Sequence, residues 1–250
     1  MMGDRKILKN FSLVTGAIAS SLFWFGLDGL TPPSARAQLE TLISVSFPQP
    51  AGNPGRPRRT TGSGTRDGNR SCVARGRGIL PMTAMMPLDN VGTTIAADPS
   101  LLVYVPPTTA QFAEVVIEDE NFNEVYVKSD ITLAPELHEE PGIVALKLEG
   151  ANLEPHRTYT WTFNIICNGR DRSRDRSIEG LFERQELDAD LETQLEGASP
   201  LEQAQLYARS GIWNEAVLLL AKMRSSEPEE WRELLESVQL EWMEQVAFLE

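Results

Sequence analysis

Only two cysteines and two histidines occur in this chain of 250 residues, and that scarcity removes several kinds of chemistry at once. His138 and His156 each fall in a loop near a proline. No His-x-x-x-His or Cys-x-x-Cys pair exists, so the spacing predicts no metal centre. A nucleophile elbow of the Gly-x-Ser-x-Gly kind, a Walker loop and a dinucleotide fingerprint are all missing. Gly62 and Gly64 superficially suggest a phosphate loop, yet no strand precedes them and no lysine follows. No catalytic residue can be assigned and no cofactor is expected. Positive charge is also short: 23 Lys and Arg face 36 Asp and Glu, and the net charge of −13 argues against nucleic acid as a partner. Beyond the start of the chain no apolar run is long enough to cross a bilayer, so no transmembrane segment is expected there.

The start itself has the form of a targeting signal. Arg5, Lys6 and Lys9 precede an uncharged run from Phe11 to Leu27, which Asp28 closes. Pro32 and Pro33 break any helix, and small residues at Ala35 and Ala37 fit signal-peptidase cleavage. The pattern predicts a signal peptide over 1–37 with Gln38 as the new N-terminus, in preference to a retained anchor, for which the run is at the lower length limit. No cysteine precedes Cys72, which excludes a lipoprotein start. The expectation is an exported protein of the periplasm or the extracellular space, long enough for one ordinary domain and a small module.

An oxidising compartment gives the two cysteines a role. Cys72 and Cys167, with nothing else to bind, are expected to form one disulfide, the alternative being two buried thiols. Closing a loop of about a hundred residues stabilises a fold by on the order of 4 kcal/mol in the chain-entropy model.

Composition divides the remainder. Residues 38–78 are rich in Gly, Pro, Arg, Thr and Ser, with few apolar residues after Phe47, and are expected to be a flexible segment. Over 79–186, short β-rich runs alternate with turn residues, and strands are predicted at 82–88, 101–105, 112–118, 124–128, 143–148, 158–167 and 177–183. Seven such strands suggest an antiparallel β-sandwich, immunoglobulin-like or fibronectin-like. Tyr159, Trp161, Phe163, Ile165 and Cys167 share one face by period-two alternation, with Thr160, Thr162 and Asn164 on the other. Leu153, Pro155 and Tyr159 have the spacing of a tyrosine corner, in which the phenol bonds to backbone a few residues upstream.

From 187 to 250 the pattern turns helical, making the whole chain α+β. Helices are predicted at 187–195, 201–209, 212–224 and 229–249, with Ser199 as a cap, Pro200 at the first helical position and Pro228 opening the last helix. Tyr207, Gly211, Ala216, Leu220 and Pro228 match one tetratricopeptide-like hairpin. One such unit cannot bury its own face, so it packs on the sandwich or docks on a partner. Tyr207, Trp213, Trp231 and Trp242 are the candidate docking residues.

Charge is distributed unevenly. From residue 178 onward 17 acidic residues outnumber 5 basic ones, whereas 51–78 holds seven arginines against Asp67 alone. Arg66, Arg70, Arg75 and Arg77 surround Cys72, and Arg170, Arg172, Arg174 and Arg176 follow Cys167. A disulfide holds its α-carbons within about 7 Å, which would gather both groups at one end of the sandwich. Guanidinium forks suit phosphate, sulfate and carboxylate, so this end is a candidate anion-binding site. The competing reading is that these arginines are solvated or neutralised by acids of the same molecule.

The ordered set of Gly55-Arg56, Gly64-Thr65-Arg66, Cys72, Tyr104-Val105-Pro106, Pro141-Gly142-Ile143, Tyr159-Thr160-Trp161, Cys167, Gly180, Glu183-Arg184, Tyr207-Ala208 and Gly211-Ile212-Trp213 resembles the cyanobacterial family called domain of unknown function 928. The resemblance implies an exported protein and supplies no activity and no catalytic residue. The sequence thus points to a non-enzymatic binding or envelope-associated protein whose partner is another exported protein or an anionic envelope component. Two alternatives stand beside it. One is a hydrolase of cell-envelope glycan using an acidic pair, which in so acidic a chain has no distinguishing signature. The other is an accessory factor that docks on a repeat or secretion partner through the C-terminal helices.

Overall fold

The computed structural model describes residues 45–48, 71–87, 89 and 91–249. The signal-like stretch 1–37, Arg66 and Arg70 lie outside the described residues. Among the described residues nine strands form two sheets. The first sheet has the order β1 (Thr83–Ala84), β3 (Ser100–Val105), β6 (Gly142–Lys147), β9 (Phe248–Leu249). The second has the order β2 (Val91–Thr94), β8 (Arg176–Arg184), β7 (Arg157–Ile166), β4 (Phe112–Glu118), β5 (Glu124–Thr132). Four helices follow β8: α1 (Ala189–Leu195), α2 (Pro200–Arg209), α3 (Trp213–Met223) and α4 (Pro228–Ser237). None is long and apolar enough to cross a membrane.

Side-chain alternation sets the layers. On β7, Tyr159, Trp161, Phe163 and Ile165 are buried while Thr160, Thr162 and Asn164 between them are partly exposed, as the sequence predicts. They meet Ala113, Val115 and Ile117 of β4 and the inward row Leu101, Val103 and Val105 of β3 in one core shared by both sheets. The other face of β3 presents Leu102 and Tyr104 to the helices, in a second core with Trp213, Leu220, Trp231 and Leu234. The first sheet is therefore the middle of three layers. Burial on both faces is why β3 reads as an unbroken apolar run.

Two strands are absent from the sequence expectation, and both are parallel edges. β2 pairs with β8 and β9 pairs with β6, so the purely antiparallel sandwich is corrected at these two positions. The predicted strand at 82–88 shrinks to Thr83–Ala84. The last helix ends at Ser237, well short of 249, because Gln239 turns into the left-handed region at φ 60°. The Leu240 N–H reaches back to the Leu235 carbonyl at 2.8 Å and that of Gln239 to Glu236 at 3.1 Å, the paired bonds of a Schellman ending. After a 3-10 turn at Glu241–Met243 the chain enters β9 and ties the helical layer back into the first sheet.

The other helix boundaries follow their signals. Ser199 and Glu202 form a reciprocal capping box with Pro200 inside it, and Gly211 at φ 72° closes α2 with the same pair of Schellman bonds. The Tyr159 hydroxyl accepts from the Glu154 N–H at 2.9 Å, the backbone contact its spacing predicts.

One further segment departs from expectation. Val45 and Phe47, within the segment expected to be flexible, are buried in the core beneath the helices. The helices pack on the first sheet, the first of the two outcomes expected for them, so their apolar face is used within the molecule.

Candidate functional site

Cys72 and Cys167 are joined, with their α-carbons 5.3 Å apart. The bond fastens the chain ahead of β1 to the end of β7, and backbone contacts reinforce it. The Cys72 carbonyl accepts from the Thr109 N–H at 2.8 Å and the Thr108 hydroxyl at 2.9 Å, and the Ala74 N–H donates to Pro107 at 2.7 Å. From this anchor the chain loops outward through Gly76 and Gly78, both at positive φ, before returning at Met82. The loop and Pro106 enclose an open cleft of about 270 Å³.

The cleft is apolar with a basic wall. Val73, Ile79, Leu80 and Met82 line it together with Arg75 and Arg176. Ile79 and Leu80 are 39% and 44% exposed, a high value for adjacent large apolar residues. Arg176 opens β8 and is only 4% exposed, and its Nε donates to the Ser71 hydroxyl at 2.9 Å. Burial, followed by the like charge of Arg75, pushes its pKa below the usual guanidinium value. Both effects oppose a cation there.

The arginine group predicted from sequence divides on inspection. Arg172 donates to Glu114 Oε1 at 2.8 Å and also pairs with Asp175, while the Ser129 hydroxyl donates to Glu114 Oε2 at 3.0 Å. The Arg172 hydrogen bond holds the Glu114 carboxyl below the ordinary range, and the same bond raises Arg172. Arg174 sits 3.8 Å from Asp171. Arg172 and Arg174 are thus paired with acids of their own surroundings, the competing reading of the sequence. Arg75, Arg77 and Arg170 are exposed and form no ion pair among the described residues.

Of the candidate docking residues, Trp213 and Trp231 are buried and Tyr207 and Trp242 are partly exposed. Trp213 and Trp231 are each 1% exposed; the Trp213 indole donates to the Met85 carbonyl at 3.0 Å and the Trp231 indole to that of Glu244 at 3.3 Å. Trp242 stacks edge-on against Tyr104 with ring centres 5.0 Å apart, and Tyr207 is half-buried. These rings hold the helices to the sheet.

A carboxyl that sequence reasoning passed over lies at that junction. Glu215 Oε1 accepts from the Thr94 hydroxyl at 2.8 Å and from the Ile95 and Ala96 N–H groups at 3.3 Å each. Its Oε2 is buried without a hydrogen-bond partner among the described residues, and burial raises its pKa against those bonds. Beside it the Thr93 hydroxyl donates to the Gly211 carbonyl and accepts from the Trp213 N–H. Among the described residues no cluster of His, Cys, Asp and Glu is placed to hold a metal.

The molecule is thus of the α+β class, a disulfide-closed pair of sheets with a helical layer on one of them. The chain belongs to the family described as Domain of Unknown Function (DUF928), whose model matches residues 61–248. That span runs from before Cys72 into β9, so the family is defined by sheets and helices together. No curated protein matches the chain.

Proposed function

We propose that this protein is an exported binding protein that takes an anionic amphiphile, of the kind a cell envelope supplies, into the cleft beside Cys72–Cys167. The observation that carries the proposal is the composition of that cleft: Ile79, Leu80 and Met82 offer an apolar bed, and Arg75 and Arg176 stand at its wall. A purely polar anion gains nothing from the apolar lining, and a neutral lipid gains nothing from the guanidinium groups. A phosphate or carboxylate head on an acyl chain uses both.

Other features support the reading. The basic and apolar start with Ala35 and Ala37 supports export, as does the formed disulfide. The division of β1, β3 and β6 against β8, β7, β4 and β5 supports a fibronectin-like arrangement, A, B, E against G, F, C, C′. The turn at Gly211 and the buried Ala216 and Leu220 support a tetratricopeptide-like hairpin, here packed on a sheet.

The test compares dodecyl phosphate with dodecanol by isothermal titration on the mature chain. Preference for the phosphate by about tenfold or more, weakened by about tenfold in Arg75→Ala and lost in Leu80→Asp, is expected. Equal binding of the two ligands, or binding indifferent to both substitutions, would overturn the proposal.

A further inference from the structure

Residues 45–48 are held in a way unlike any other part of the fold. Val45 and Phe47 are buried, and Ser46 and Pro48 between and after them are exposed. Among the described residues no backbone-to-backbone hydrogen bond holds this segment. Its main chain is caught by side chains instead. The Val45 N–H donates to Glu233 Oε2 at 3.2 Å, and the Phe47 N–H donates to the Ser237 hydroxyl at 3.0 Å. Glu233 and Ser237 stand one turn apart on α4.

The spacing has a simple origin. Two residues of extended chain rise about 6.7 Å, and four residues of helix about 6.0 Å. An extended segment laid along α4 therefore brings alternate N–H groups over residues four apart. The side chains of Val45 and Phe47 then point to one side, into the apolar core, and Ser46 between them points away. Phe47 meets the edge of Trp213 with ring centres 5.1 Å apart at 86°, and Val45 joins the same core as Leu234, Leu235 and Val238.

We propose that this groove of the helical layer is a binding site for an extended peptide of apolar-x-apolar pattern, and that residues 45–48 occupy it as a tethered, separable ligand. The recognition elements are two acceptors, Glu233 and Ser237, and two apolar pockets. An outside peptide of the same pattern competes with an occupant whose effective concentration is on the order of millimolar, since it belongs to the same chain. The site is independent of the cleft beside the disulfide.

Two measurements test this. In the unmodified protein, amide hydrogen exchange should show Val45 and Phe47 opening at least tenfold more readily than Leu234 and Leu235 of α4, since separable docking is a local event. Exchange of all four only through global unfolding would overturn the proposal. In the Phe47→Asp chain, a synthetic peptide of residues 42–50 should bind at micromolar to millimolar concentration and shift Trp213 fluorescence. Adding Ser237→Ala should weaken it several-fold, and the unaltered chain should bind it at least tenfold more weakly. A peptide that fails to bind a Phe47→Asp chain whose circular dichroism is native, or that binds both chains equally, would also overturn it. If Phe47→Asp does not fold, the exchange result alone decides.

Discussion

Asn214 grips Ser100 by both of its main-chain groups: Oδ1 accepts from the Ser100 N–H at 3.2 Å, and Nδ2 donates to the Ser100 carbonyl at 2.6 Å. A side chain near the start of α3 thus supplies the bonds that a neighbouring strand would otherwise give to the beginning of β3. The helical layer is fastened to the sheet by this amide, by the Trp213 indole on Met85, and by Thr93 and Thr94 on the first turn of α3.

Removing that amide should loosen the junction. Asn214→Ala removes a partner from the half-buried Ser100 N–H and carbonyl, and a loss of about 1–3 kcal/mol in urea unfolding is expected. A loss below about 0.5 kcal/mol would mean that water replaces the amide.

Glu215 predicts how the same junction responds to pH. Burial raises its folded pKa above the ordinary glutamate value of 4.5, so its contribution to stability is fully present below that value and is lost as pH rises through the folded pKa. Glu215→Gln keeps an acceptor for Thr94, Ile95 and Ala96 and removes the titration. Stability measured from acid to neutral pH should fall more steeply in the unaltered protein than in Glu215→Gln. Parallel curves would contradict the assignment.

Two glycines of the second sheet separate rigid from yielding neighbours. A Cβ at Gly180 would stand 2.5 Å from Trp161 Cζ2, on a ring fixed in the core, whereas one at Gly92 would meet chiefly the Met86 methyl, the free end of a flexible chain. Gly180→Ala should cost about 2–3 kcal/mol by overpacking and Gly92→Ala distinctly less. Thermal unfolding of the two variants checks the order.

Arg172 predicts a titration. It holds the Glu114 carboxyl low, so Arg172→Ala should raise the Glu114 midpoint in an NMR titration. The Glu114 contribution to stability is present above the unfolded pKa and is lost as pH falls through the folded one, so the variant should be less acid-sensitive. An unmoved midpoint would return Arg172 to the group of arginines free for anions.

These relationships also show what the sequence can disclose. β7 was legible because one face of it is solvated, leaving a strict alternation from Tyr159 to Ile165. The α2 start was legible because Ser199, Pro200 and Glu202 act within one turn. β2 and β9 were not, since each is short and lies parallel to a strand far away in the chain. The end of α4 was hidden because Gln239, an ordinary helix former, takes the left-handed position that Gly211 announces at the end of α2. Trp213 and Trp231 lie within helices that the sequence predicts, but a helical pattern does not say what covers its apolar face. The cysteine pair located the candidate cleft, while the division among its arginines depended on Glu114, 58 residues from Arg172. Val45 and Phe47 belong to the alternation Ile43-Ser44-Val45-Ser46-Phe47, a period-two signal that the Gly- and Pro-rich composition of 38–78 outweighed.

The central claim is that the cleft beside Cys72–Cys167 receives an anionic amphiphile. Titration of dodecyl phosphate into the isotope-labelled protein, followed through its backbone amides, tests it most directly. The account predicts saturable shifts confined to Arg75, Ile79, Leu80, Met82 and Arg176, with the Trp213 indole unmoved. Shifts centred on the helices, or none in the loop from Val73 to Met82 at saturating ligand, would contradict it.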